Sequence, residues 1–241
     1  VLLRAAEQGG ADGALAPSLS TIRLLPAVRV GEFDPPMFAR AARNLQQLMD
    51  GRLTVNIISS EMPGEVLASA PRYKRTIEMM QITKALLNGE SVDYQGEFYS
   101  LKLDPPRVRT VSGRAPAYYF GGLSEDAREA AAIAADVYLM WPDTMDKVAE
   151  VVADMKARAA RHGRTLRFGY RVHVIVRETE AEARAAADRL LSRLDAGEGA
   201  AIRAKSLDAT SAGVRRQAEL REAAAGDGYA EDNLWTGIGR A

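Results

Sequence analysis

The sequence predicts an α/β fold of the β/α-barrel class, and three observations predict it. Short apolar runs alternate with amphipathic helical stretches along the chain. Five such strands, each followed by a helix, call for parallel pairing, because parallel neighbours need a crossover of that length. Several strands are also half polar, with Asn56, Tyr138 and His173 inside the apolar runs, as suits staves that line an interior. A doubly wound sheet is the rival. It lacks its usual mark, since no GxGxxG follows the first strand.

The elements follow in order. Ile22 to Val28 reads as a strand with a proline in it, and Pro35-Pro36 opens a helix with Met37, Phe38, Ala41, Leu45 and Leu48 at helical spacing. Asp50-Gly51 stops that helix. Leu53 to Ile58 is a strand bounded by Ser59-Ser60, and a helix from about Pro71 to Leu87 ends at Asn88-Gly89. Residues 91–101 break the rhythm: Val92, Tyr94, Phe98 and Tyr99 flank Gln95-Gly96 and predict a small hairpin inserted in a single 1–241 domain. The alternation resumes with strand Ala117–Phe120, helix Ser124–Ala134, strand Asp136–Trp141, helix Thr144–Arg161, strand Arg167–Arg177 and helix Glu180–Leu194. Val1 to Gln8 reads as a further helix, and the polar, alanine-rich stretch Ala201–Gly228 as a mobile one.

Lysine plus arginine equals aspartate plus glutamate at 32 each, so no net charge draws the chain to nucleic acid or an anionic membrane. Any anion must be held locally. With no cysteine there are no disulfides and no thiolate metal sites, which fits a reducing, cytoplasmic setting. No run approaches the roughly 18 apolar residues that span a bilayer, and Val1-Leu2-Leu3-Arg4 shows no signal peptide. The first residue is not Met, and the expectation is a chain short of both natural ends.

Arg171 and His173 are the sharpest candidates. Two residues apart on a strand, they point to one face, which in a barrel is the interior. An inward guanidinium beside an imidazole needs an anionic partner. Anion binding with proton transfer is one reading; an arginine paired to a core carboxylate beside a satisfied histidine is the other. His162, at a helix end in Arg-His-Gly-Arg, suits surface capping. Gly121-Gly122 and Ser124 join a strand to a helix, where amides can approach a phosphate and the serine can cap. A purely structural turn explains them equally well, as it does Asn56 and Ser59-Ser60. Arg72-Tyr73 can meet a phosphate, and Trp141 can stack on a planar ring or cap the barrel. No metal-ligand spacing, P-loop or GxSxG elbow is present.

At these motifs the chain resembles the luciferase-like flavin-dependent monooxygenases, and among them the alkanesulfonate monooxygenases most closely. The stretches that carry the likeness include Leu25-Pro-Ala-Val-Arg-Val30, Asp50-Gly-Arg-Leu-Thr-Val-Asn-Ile-Ile58, Arg72-Tyr73 with Glu78, Gly89 to Tyr99 and Tyr119-Phe-Gly-Gly122. They continue through Asp136 to Trp141, Arg167 to Glu180 and Asn233 to Gly239. The resemblance implies a (β/α)₈ barrel of the luciferase-like type, incomplete at both ends here. It implies reduced FMN supplied by an NAD(P)H-dependent flavin reductase, with O₂ and a small organosulfonate as co-substrates and an aldehyde and sulfite as products. A homo-oligomer is implied too. By position, Arg171, His173 and Trp141 match the catalytic site, and Asn56, Ser59, Tyr73, Gly121, Gly122 and Ser124 match the flavin site.

The departures from the family pattern are local. Family members continue past Gly239 into a glycine-rich loop with an active-site arginine. Gly10–Ser18 and Ser60–Arg72 are short for what the family places there, and Ser69 stands where a histidine is frequent. The nearest rivals in substrate are methanesulfonate and dimethyl sulfone. A phosphate-binding isomerase or aldolase would need a lysine or carboxylate pair at strand ends, and no such lysine is found. A non-catalytic flavin-binding relative would not need Arg171 and His173.

Overall fold

A computed structural model of the chain describes residues 18–60, 64–192, 197, 211–224 and 228–237. Its centre is a five-stranded parallel sheet in the order β1 (Ala27–Arg29), β2 (Thr54–Ile58), β5 (Ala117–Phe120), β6 (Val137–Met140) and β7 (Arg167–Tyr170). The crossovers are α1 (Pro35–Leu48), α2 (Ser69–Asn88), α3 (Glu125–Ala134) and α4 (Met145–Arg161), and α5 (Glu180–Leu191) follows β7. The predicted parallel alternation is therefore present. Five staves do not close; a barrel needs about eight, and among the described residues β1 and β7 remain edges.

Alternation sorts each strand. Val28, Val55, Ile57, Tyr118, Phe120, Tyr138 and Met140 are buried in one core with Phe38, Met79, Met80, Ile82, Leu86 and the alanines of α3. Asn56, Tyr119 and Leu139, on the alternate positions, are only partly covered and belong to the face away from the helices. A Cβ on Gly169 would stand 2.9 Å from Leu139 Cδ1, 3.4 Å from Val137 Cγ1 and 3.7 Å from Tyr119 Cε1, so these four residues share that face.

Two strands are shorter than the sequence predicts. The run from Ile22 has one isolated bridge, Leu24 to Leu53, before Pro26, which has no N–H to donate; the strand begins only at Ala27. At the other edge, the strand predicted to reach Arg177 stops at Tyr170. The Arg171 amide still donates to Met140 O (2.9 Å), but the next residues of the neighbouring chain are Trp141 and Pro142. Proline cannot extend the ladder, and no described strand covers the far side of β7. Arg171 and His173 accordingly lie in exposed chain just past β7, not inside a strand.

Residues 212–223, expected to be mobile, form helix α6 (Ala212–Ala223), started by Ser211, whose hydroxyl accepts from Val214 N (3.2 Å). A small hairpin, β8 (Tyr229–Glu231) with β9 (Leu234–Trp235), follows. The expected mobility of 201–210 and the helix expected at Val1–Gln8 lie outside the described residues. No helix among the described residues is long and apolar enough to cross a membrane.

The inserted hairpin is present as β3 (Val92–Gln95) and β4 (Ser100–Leu103), antiparallel. One carboxylate docks it. Glu78 of α2 is 3% exposed and accepts from the backbone amides of Glu97 (2.9 Å), Phe98 (3.0 Å) and Tyr99 (3.1 Å). A Cβ on Gly96 would stand 2.4 Å from that carboxylate, so the turn needs glycine. A second tie joins α2 to the sheet. Lys84 Nζ donates to Asp136 Oδ1 and Ala134 O (each 2.7 Å), while Asp136 Oδ2 accepts from Tyr118 N (2.7 Å). Burial pulls the Lys84 pKa below its usual value, and Asp136 offsets part of that pull.

Glu78→Ala strands three amides at once. It is expected to lower stability by about 2 kcal/mol, read as a lower urea midpoint, with Gly96→Ala giving a loss in the same direction. An unchanged midpoint in both variants contradicts this account of the hairpin.

Candidate active site

Every residue singled out for chemistry lies on or beside the C-terminal edge of the parallel sheet. Ser59 follows β2, Gly121-Gly122 follow β5, Trp141 follows β6 and Arg171 follows β7. Parallel strands converge these turns on one side, which is where β/α-barrels build their sites.

One part of the edge is polar and close-packed. The Ser59 and Thr76 hydroxyls share a hydrogen bond of 2.7 Å. Tyr73 stacks edge-on against Phe120 (6.1 Å between centroids, 82°), with the Arg72 guanidinium 5.3 Å over its ring. A Cβ on Gly122 would stand 3.6 Å from the Tyr73 hydroxyl and 2.6 Å from Ala127 Cβ. One on Gly121 would stand 2.2 Å from Leu139 O, so this turn accepts no side chain. The Tyr138 hydroxyl donates to Gly122 O (2.6 Å), and burial pushes its pKa up to about 12. Ser124 caps α3 as expected, its hydroxyl accepting from Ala127 N (3.3 Å). Asn56 sits two residues before the end of β2, in register with Tyr119 on the helix-free face.

These residues suit a phosphate-bearing cofactor such as FMN. The turn presents backbone beside a phenol at a helix N-terminus, where the positive end of the dipole favours an anion. Both first-turn carboxylates are engaged elsewhere: Glu125 pairs with Arg158, and Asp126 accepts from Ser69 Oγ (2.5 Å). The Ser60 hydroxyl, weighed together with Ser59 in the sequence, is buried just past the end of β2 with no hydrogen-bond partner among the described residues. A buried hydroxyl in that state is a ready ligand contact.

The other part is open. Trp141 (41% exposed), Arg171 and His173 line one cavity of about 1470 Å³, walled by α5, α6 and the β8–β9 hairpin. The lining does not include Asn56, Ser59, Tyr73, Gly121, Gly122 or Ser124. The two sets share the sheet edge, therefore, without sharing this cavity. His162 takes the surface role expected of it, with Nε2 2.6 Å from Glu129 Oε1. No cluster of His, Asp and Glu able to hold a metal occurs among the described residues.

The loop after β6 escaped the sequence reading. Asp143 accepts from Arg216 Nε (2.9 Å) and Nη2 (2.7 Å) of α6 and from Thr144 N (2.8 Å). Its only sequence signal is an acidic residue just ahead of a helix start. Burial raises the Asp143 pKa, but the Arg216 fork, the Thr144 amide and nearby Lys147 outweigh it and hold the carboxyl below its ordinary 3.8.

Known proteins supply the comparison. The profile of the family described as luciferase-like monooxygenase matches residues 4–239. A sulfoquinovose monooxygenase of Novosphingobium aromaticivorans is 61% identical over 266 aligned positions, covering 100% of this chain and 73% of the relative. Another, from Agrobacterium fabrum, is 48% identical, covering 94% of this chain and 59% of the relative. Among solved structures, EDTA monooxygenase from Chelativorans sp. BNC1 superposes with a TM-score of 0.71 at 17% identity, covering 83% of this chain and 53% of that one. Riboflavin lyase with modified FMN gives 0.71 at 17%, covering 79% and 49%. The chain thus spans about half the length of these solved proteins.

The depressed Asp143 pKa fixes the sign of a pH effect. Its pairing stabilises the fold fully above the ordinary carboxylate value and loses that contribution as pH falls below 3.8 through the folded value. The urea-midpoint gap between the protein and Asp143→Asn is expected to be constant at neutral pH and to shrink below pH 3.8. A gap that stays constant into acid contradicts the assignment.

Proposed function

We propose that this chain, which belongs to the luciferase-like monooxygenase family, forms the catalytic body of an FMNH2-dependent sulfonate monooxygenase acting on sulfoquinovose. The observation that carries the substrate is the 61% identity, over the whole chain, to a protein named for that reaction. Simple alkanesulfonates, implied by the resemblance to alkanesulfonate monooxygenases, are the second reading. What supports them is that Arg171, His173 and Trp141 line one cavity, where a guanidinium would recognise a sulfonate whatever chain bears it.

Tyr73, Ser59, Ser60 and the Gly121-Gly122 turn would hold the flavin phosphate, with Asn56 on the helix-free face toward the ring. Bound reduced flavin supplies, with O₂, the oxygen atom placed on the carbon that carries sulfur. The overall change is R–CH2–SO3⁻ + O2 + FMNH2 → R–CHO + HSO3⁻ + FMN + H2O. Arg171 would hold the sulfonate through paired N–H donors and stabilise sulfite as the C–S bond breaks. His173 would accept or return the proton at the carbon or the leaving oxygen. Trp141 would shield the reacting carbon from water. A separate NAD(P)H-dependent reductase would supply the reduced flavin, and a homo-oligomer is proposed on family grounds.

Arg171→Ala and His173→Asn are each expected to cut sulfite release about 100-fold while flavin still binds. Tyr73→Phe is expected to weaken flavin about tenfold and leave turnover at saturating flavin little changed. Wild-type turnover in the Arg171 and His173 variants contradicts the assignment; flavin binding without sulfite in the parent protein marks a non-catalytic relative.

A further inference from the structure

The loop between β6 and α4 is gripped from three sides. From α6, the Arg216 fork holds the Asp143 carboxylate, itself 11% exposed, and Gln217 Nε2 donates to Pro142 O (2.8 Å). From β7, the Tyr170 hydroxyl accepts from Asp143 N (3.2 Å). From β8, the Glu231 carboxylate accepts from Met145 N (3.2 and 3.1 Å). Trp141 opens this loop. Its ring is so close to α6 that a Cβ on Gly213 would stand 3.4 Å from Cζ3.

These contacts do more than anchor a helix. Val214, Gln217, Leu220 and Arg221 recur at helical spacing and line the cavity that Trp141, Arg171 and His173 also line. The bidentate pair is the part of the grip with fixed geometry, since a guanidinium fork meets a carboxylate in one plane. We propose that Arg216 and Asp143 form a latch that positions Trp141 and fixes the wall of the substrate cavity. The latch is a positioning device and takes no part in bond making. Its effect on turnover rests on the sulfonate reading; its effect on Trp141 does not.

The chain has two tryptophans, so Trp235→Phe leaves the emission of Trp141 alone. In that background, Arg216→Met and Asp143→Asn are each expected to red-shift the emission and raise its quenching by acrylamide. The double variant should go no further than either single one, and Arg216→Lys should restore part of the shift. In the protein with both tryptophans, Arg216→Met is expected to raise KM for the sulfonate about tenfold with kcat less affected. Should Arg216→Met not fold, Arg216→Gln and Asp143→Asn carry the same comparison. Emission and quenching that stay at the parent values in both single variants overturn the latch, as do strictly additive effects in the double one. If the parent protein releases no sulfite from any sulfonate, the functional reading falls, and the fluorescence series alone decides the latch.

Discussion

Parallel hydrogen bonding between β2, β5, β6 and β7 is the constraint on which the site depends. Because these strands run the same way, every strand must be followed by a helix that returns to the opposite edge. The residues just past each strand are then carried to one side of the sheet. Ser59, Gly121, Trp141 and Arg171 are 112 positions apart in sequence at the extremes, yet all four stand at that edge. The helices bury one face and leave the other to Asn56, Tyr119, Leu139 and Gly169. Chemistry is placed by topology, and the residue types then decide what kind.

The same constraint explains where the order ends. Pro26 and Pro142 interrupt ladders that the apolar pattern alone would extend, and past the Arg171 amide, which still reaches Met140 O, no described strand pairs with residues 172–177. Exposure of Val172, Val174 and Val176 follows from that missing neighbour. On this open side, α6 and the β8–β9 hairpin supply the walls that a closed barrel would supply by its own staves. Their attachment is polar, through Asp143, Pro142 and Met145, in contrast to the apolar packing of α1 to α4.

Much of this was legible in the residues. The alternation of runs gave the sheet and its crossovers, Ser124 announced a cap, and Gln95-Gly96 announced the hairpin. What escaped were features that depend on distant partners. Nothing local tells that Glu78 will meet three amides of a hairpin some twenty residues on. Nothing local pairs Asp143 with Arg216 across 73 residues. The strand through His173 was misjudged for a related reason: its apolar pattern is that of a strand, but a strand also needs a ladder, and Pro142 withholds it. The polar, alanine-rich stretch hid α6 because its order comes from a capping serine and an ion pair more than from an apolar stripe.

The proposed function requires the sheet edge to hold flavin beside a sulfonate site. The most direct measurement is sulfite released by the protein with reduced FMN and O₂, compared between sulfoquinovose and a series of simple alkanesulfonates. Sulfite from sulfoquinovose, with a higher kcat/KM than any alkanesulfonate and dependent on reduced flavin, is the predicted result. Absence of sulfite from every sulfonate, with flavin bound, contradicts it.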